Sequence, residues 1–211
     1  MDDVSKLVLT VEAFLIEDGI VQAPELSRED DKSRSDMIDE LELLDPKNLP
    51  IYQQYIEETA QAFDVDFAQI SWVKNEIVHT PASPLSSDQE HLMDSQLARE
   101  DSICTHLIYQ DADLVIEDIR RDPRFSQNPE LKQNHLRFYA GVPLRTSKGL
   151  SLGSLCILDK QPRTLEQDDL DLLHQLADNL IQTLSHEKKR DVALEDIEHL
   201  EGEPISRLDE T

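Results

Sequence analysis

The sequence predicts an α+β protein, and three stretches carry that prediction: a β-hairpin at 137–159, a second hairpin at 67–79, and a long amphipathic helix opening near Thr164. In RFYAGVPLRTSKGLSLGSLCILD, two apolar runs face each other across a polar link. Phe138, Ala140, Val142 and Leu144 lie on one face of the first run, and Leu155 and Ile157 alternate with Ser154, Cys156 and Leu158 in the second. Thr146 to Gly149 supply the turn. Gly153 inside the second run marks a bulge or a close backbone approach, and Pro143, which cannot donate a ladder bond, marks an edge or a bulge.

In chain order, Leu7 to Ile16 places Leu7, Val11, Phe14 and Leu15 on one helix face, although its β-branched content also suits a short strand; we read it as a helix. The charged run SREDDKSRSD reads as a flexible linker. A helix opens at Ser35, carries Met37, Ile38, Leu41 and Leu44, and closes at Pro46. A second helix, Leu49 to Phe63, presents Tyr52, Tyr55, Ile56 and Phe63 as a core stripe. Phe67 to Val73 and Ile77 to His79 form the second hairpin around Lys74-Asn75-Glu76. Thr80 to Leu97 has turn character and suits a lid or ordered loop. Then follow a short helix at Ser102 to Ile108, a strand at Ala112 to Ile116 ending near Asp118, a turn at Asp122 to Phe125, and a short helix with Pro129 at its first position. After the main hairpin, Thr164 caps the final helix, whose apolar side holds Leu165, Leu172, Leu173, Leu176, Leu180 and Leu184. Val192, Leu194, Ile197 and Leu200 extend that side beyond the domain, which predicts a helical homodimer seam.

The 211 residues suit one domain with extensions: an acidic N-terminal extension at 1–34, the domain at 35–186, and a helical extension with an acidic tail at 187–211. No apolar run approaches the roughly 20 residues that span a bilayer, and the start is acidic where a signal peptide is basic, so a soluble, cytoplasmic protein is expected, with no membrane partner. Two cysteines fit reduced thiols. A net charge of -25 argues against nucleic acid as a partner. The charge is uneven: residues 101–163 carry +1, and the rest carry -26. Solvated helices and tails account for most of the acidity, and a basic protein partner is the functional alternative.

The words REDSICTHLIYQDADLVIEDIRRDPRF at 99–125 and HLRFYAGVPLRTSKGLSLGSLCILDKQPRTL at 135–165 resemble a bacterial subfamily of GAF domains often attached to sensor kinases and cyclases. In that subfamily a phenylalanine-cysteine pair, an R-F-Y-A-G-x-P-L strand and an L-G-x-L-C strand recur; Ile103 here replaces the aromatic before Cys104. The resemblance spans about residues 35–186. It implies an α/β/α sandwich, a central six-stranded antiparallel sheet flanked by helices, with a pocket between the sheet and the 80–135 connection. It names no ligand and no cofactor.

Within that implied pocket the candidate ligand-binding residues are Cys104, His106, Asp118, Phe125, Arg137, Tyr139 and Cys156. Cys104, near a helix N-terminus, could be a thiolate or a small buried hydrophobe. Cys156 reads as a packed core thiol, and the two cysteines would make a redox switch if they faced each other. His106, two residues from Cys104, is poorly spaced for a shared metal and suits a structural hydrogen bond. Arg137 and Tyr139 point away from Phe138; Arg137 offers a fork for a carboxylate or phosphate, or an ion pair with Asp118 or a neighbouring acid, and Tyr139 a stacking ring. Asp122, Arg124 and Phe125 read as a turn with an internal salt bridge and one core anchor.

No phosphate loop, H-E-x-x-H, G-x-S-x-G or catalytic triad spacing is present. The Asn-Lys-Phe-Asp-Glu constellation of cyclic-nucleotide-binding GAF domains is missing, and Thr105 stands where bilin-attaching members place His after Cys. The expectation is therefore a non-enzymatic, stand-alone sensory protein that binds a small molecule or senses redox state and signals by protein contact. The alternatives are a thiol reductase of the free methionine sulfoxide reductase type and a structural acidic adaptor without ligand.

Overall fold

The computed structural model describes residues 16–17, 20–21, 28–81, 95–99 and 102–201. Its centre is a six-stranded, wholly antiparallel sheet. Two-residue strands β1 (Ile16–Glu17) and β2 (Ile20–Val21) pair separately. The sheet consists of β3 (Phe67–Lys74), β4 (Ile77–Thr80), β5 (Ser95–Ala98), β6 (Leu114–Ile116), β7 (Phe138–Arg145) and β8 (Ser151–Asp159), in the order β5-β4-β3-β8-β7-β6. The helices are α1 (Arg28–Glu40), α2 (Leu49–Phe63), α3 (Ile103–Gln110), α4 (Pro129–Gln133) and α5 (Gln167–Glu201).

Strand alternation divides the core into two layers. Ile70, Trp72, Phe138, Ala140, Val142 and Leu155 face one side, where they meet Ile38, Tyr52, Leu173, Leu180 and other residues of α1, α2 and α5. Val73, Tyr139, Cys156 and Leu158 face the other, beneath Cys104, Leu107 and Ile108 of α3 and Leu131 of α4. The predicted α/β/α sandwich is therefore observed, with the C-terminal helix long as expected.

The main hairpin pairs from Phe138↔Asp159 to Arg145↔Ser151, with a register irregularity at Leu144/Arg145. Gly149 closes its turn at φ 84°, a conformation open to glycine and costly to most L residues. Gly153 is the close backbone approach: a Cβ there would sit 1.8 Å from the Ser71 carbonyl oxygen. Pro143 lies beyond the Leu114↔Gly141 end of β6, where its missing N–H costs no ladder bond.

Four expectations need correction. The charged run is no flexible linker: residues 28–34 open α1, which starts seven residues before Ser35. Asp31 accepts hydrogen bonds from Arg34 at 2.7 Å and Arg99 at 2.8 Å, and Arg34 donates to the Ser151 carbonyl at 2.8 Å. Both arginines are buried, so paired charges tie down a segment whose composition alone suggests disorder. Ile16 lies in a strand, while residues 7–15 of the expected first helix are outside the described residues. Residues 82–94 of the expected lid also lie outside them, but Ser95–Ala98 forms an unpredicted edge strand on β4, too short to show its alternation in sequence. Finally, α5 begins at Gln167 rather than after a Thr164 cap; the Glu166 N–H donates to Asp169 at 3.0 Å. Leu172 is 38% exposed, so the inner stripe of α5 is Leu173, Ala177, Leu180, Ile181 and Leu184.

Candidate functional site

The face of the sheet beneath α3 carries hydrogen-bonding groups at its centre, where packing alone would favour hydrocarbon. Register brings them together. Ser71 of β3 sits opposite Ser154 of β8, and Cys156 sits opposite Gly141 of β7 and Gln69 of β3. Tyr139 lies two residues before Gly141, on the same face; a Cβ on Gly141 would come within 2.6 Å of its phenol oxygen, so the ring reclines over the glycine. Above them α3 is held by its ends: Ser102 accepts from the Cys104 N–H, and Asp111 terminates the helix in the left-handed region. Cys104 is thereby set over the strands.

The Tyr139 hydroxyl donates to Cys104 Sγ at 3.5 Å, the Ser71 and Ser154 hydroxyls are 2.8 Å apart, and Cys156 Sγ donates to the Gln69 carbonyl at 3.6 Å. Tyr139 and Cys156 are fully buried and Cys104 is 4% exposed; both thiols are free. The space expected to be an open pocket is, among the described residues, closely filled at this point by Cys104, Leu107, Tyr139 and Cys156.

The two thiols are electrostatically unequal. Hydrogen bonding from Cys156 outweighs desolvation and, with help from Ser154, Tyr139 and Ser71, holds the Cys104 thiol below its ordinary range. Cys156 is pushed the other way, first by its hydrogen bond to Cys104 and then by burial. Tyr139 is also raised, chiefly by burial, and stays a neutral donor. The arrangement can therefore hold one thiolate against one protonated thiol.

The other candidates lie apart from this centre. His106 turns to Phe125, whose ring meets it edge-on at 4.8 Å, and burial lowers its pKa to about 4, reinforced by Arg124 and opposed by Asp122. Phe125 is buried, with the Arg124 guanidinium 4.9 Å from its centroid, and Arg124 pairs with Asp122 as the turn predicted. Asp118 caps the short helix Ile119–Arg121 and accepts from Arg120 Nε and Nη2, at 2.8 and 2.6 Å, which holds its carboxyl below the ordinary range. The expected Asp118–Arg137 pair does not form, because Arg120 occupies the carboxylate; Arg137 donates to the Leu136 carbonyl at 3.1 Å. Sequence reasoning missed Ser71, Ser154 and Gly141. Their signal is parity: Ser154 shares a face with Cys156, and Ser71 alternates with Ile70 and Trp72.

Open volume lies elsewhere, in a groove of about 950 Å³ between α1, the β7–β8 turn and α5, lined by Met37, Leu41, Arg145, Ile181, Ser185 and Val192 among others. Among the described residues no group of His, Cys, Asp and Glu could hold a metal, and no helix is long and apolar enough to cross a membrane.

An antiparallel sheet with long helices on one face and short helices closing the other is the architecture of the GAF fold. The chain belongs to the GAF family: the GAF domain matches residues 49–184. Members of this family are typically sensory or regulatory binders of small molecules. The chain is 33% identical over 151 residues to a cyclic di-GMP phosphodiesterase from Pseudomonas aeruginosa, a match covering 71% of this chain and 25% of the relative. It thus spans about a quarter of that protein's length. Among solved structures it resembles the GAF domain of a phosphoenolpyruvate-protein phosphotransferase from Coxiella burnetii, with a TM-score of 0.59, 14% identity, and 75% of this chain and 98% of that one covered. The corresponding Acinetobacter domain gives a TM-score of 0.55 at 17% identity, covering 76% and 96%. At these identities the structural likeness concerns the fold alone.

Proposed function

We propose that this protein is a non-enzymatic GAF sensory module in which the buried centre at Tyr139, Cys104 and Cys156 is the sensing element and α5 is the output. The observation that carries the reading is the placement of Tyr139 and Cys156, beneath Cys104 of α3, on strands that α5 covers from the opposite side. Tyr139 and Cys156 face α3, while their neighbours Phe138, Ala140, Leu155 and Ile157 pack with Leu173, Leu180 and Leu184. A change of hydrogen bonding on one face must move strands that the other face grips, because close-packed layers shift together.

Output is then contact with another chain. Beyond the domain α5 exposes Val192 at 43% and Leu194 at 52%, an apolar continuation suited to a homodimer seam. The position of Cys104 in the first turn of α3, accepting the Tyr139 hydroxyl, also favours a second reading, a thiol reductase of small oxidised molecules. Loss of free methionine sulfoxide reduction in Cys104→Ser would support it, and no turnover by wild type would remove it.

The test of the sensing reading is hydrogen exchange of wild type against Tyr139→Phe, which removes one donor from the centre. Altered protection of α5 across Leu173–Leu184 is expected, while Leu131→Ala, on the same face but away from the thiols, leaves α5 unchanged. Identical protection of α5 in wild type and Tyr139→Phe would refute the reading.

A further inference from the structure

We propose that Cys104 and Cys156 are a peroxide-reactive pair that closes to an intramolecular disulfide, the chemical event that the sensing centre reads. The inference rests on the sensory reading above and assigns it a reagent. The chain holds two cysteines, 52 residues apart in sequence on α3 and β8, and the fold sets both in one buried cluster: Cys104 accepts the Tyr139 hydroxyl at 3.5 Å, and Cys156 lies opposite Gly141, against which that same hydroxyl rests. Hydroxyls of Tyr139, Ser71 and Ser154 surround them. Hydrocarbon at these positions would cost less to bury, and two thiols among the hydroxyls give the cluster chemistry that packing does not need.

The roles are unequal. Cys104 sits in the first turn of α3, where the helix end favours negative charge, and accepts the Tyr139 proton donor; it is the nucleophile. Cys156, protonated and hydrogen-bonded to the Gln69 carbonyl, is the resolving thiol. Because the centre is at most 4% exposed, its reagent must be about the size of water, which selects hydrogen peroxide over bulky hydroperoxides.

In the first step the Cys104 thiolate sulfur attacks one peroxide oxygen. The O–O bond breaks, hydroxide leaves and takes up the proton released by Cys104 to give water, and the sulfur becomes a sulfenic acid, oxidised by the two electrons that peroxide gains. In the second step Cys156 sulfur attacks the Cys104 sulfur. The S–S bond forms, the S–O bond breaks, and the departing hydroxide takes the Cys156 proton as a second water. Two thiols and one peroxide thus become one disulfide and two waters. The S–S bond, near 2 Å, draws α3 onto β8 and deprives the Tyr139 hydroxyl of its thiolate acceptor.

The test treats the reduced full chain with hydrogen peroxide, quenches in acid, alkylates under denaturing conditions and maps peptides by mass spectrometry. The expected product is a Cys104–Cys156 crosslinked peptide within one chain, with both thiols lost to alkylation together and restored by dithiothreitol. Cys156→Ser should stop at a dimedone-trappable sulfenic acid on Cys104, and Cys104→Ser should leave Cys156 alkylatable. Cumene hydroperoxide should react at least tenfold more slowly. Two alkylatable thiols after peroxide treatment of wild type, a crosslink between chains, or equal rates with the bulky hydroperoxide would overturn the proposal. If no disulfide forms while Tyr139→Phe still alters α5, the chemistry fails and the sensory reading stands; if the disulfide forms and α5 is indifferent to Tyr139→Phe, the reverse holds.

Discussion

Acid should unfold this domain partly through one histidine. His106 is 3% exposed on α3 with its ring edge-on to Phe125, and burial lowers its pKa to about 4, with Arg124 adding to the effect and Asp122 opposing it. In the unfolded chain the imidazole protonates near its ordinary value of 6.5. Between these limits the unfolded state binds more protons than the native state, so stability falls as pH drops from about 6.5 towards 4. At roughly 1.4 kcal/mol per tenfold change in proton affinity, the full effect is about 3 kcal/mol, of which roughly 2 kcal/mol is lost between about pH 7 and pH 4.5. The measurement is urea unfolding of wild type and His106→Gln across that range. Carboxylate titrations are common to both proteins, so the gap between them isolates the imidazole. The variant should gain on wild type by roughly 2 kcal/mol at about pH 4.5 relative to pH 7. A gap that stays constant with pH would refute the burial argument.

Two further perturbations test the frame and the output. Gly153→Ala drives a Cβ into the Ser71 carbonyl and must part β3 from β8; a loss of about 3 kcal/mol is expected in urea titration with an unchanged slope, and a loss under about 1 kcal/mol would contradict the close approach. The double change Val192→Glu, Leu194→Glu should convert a dimer to a monomer by light scattering while shifting domain stability by no more than about 0.5 kcal/mol, since both side chains are outside the core. A wild-type monomer would end the seam.

The hairpins were legible in the sequence because their periodicity and turn chemistry agree: Phe138 to Leu144 alternates, Thr146 to Gly149 turns, and Leu152 to Leu158 returns. Gly153 and Pro143 announced irregularity at the right places. The start of α1 was not legible, because what orders Asp31 and Arg34 is Arg99 and the Ser151 carbonyl, far away in the chain. Propensity cannot report such contacts. The same holds for the candidate site. Cys104, Tyr139 and Cys156 could be singled out as residues, but that they meet, while Arg137 and Asp118 do not, depends on register and on Arg120 reaching Asp118 first. The serines of the centre were hidden among apolar neighbours whose pattern said only that the strand is buried.

Trp72, the single tryptophan, is a native reporter for the link between the two faces. It is fully buried on the α5 side of β3, beside Ser71 on the thiol side, and packs 6.1 Å from Tyr52. Its emission in reduced and peroxide-treated protein reads directly whether chemistry at Cys104 is felt across the sheet. The account predicts a change in wild type that dithiothreitol reverses and that Cys104→Ser abolishes; an emission spectrum identical before and after disulfide formation would contradict it.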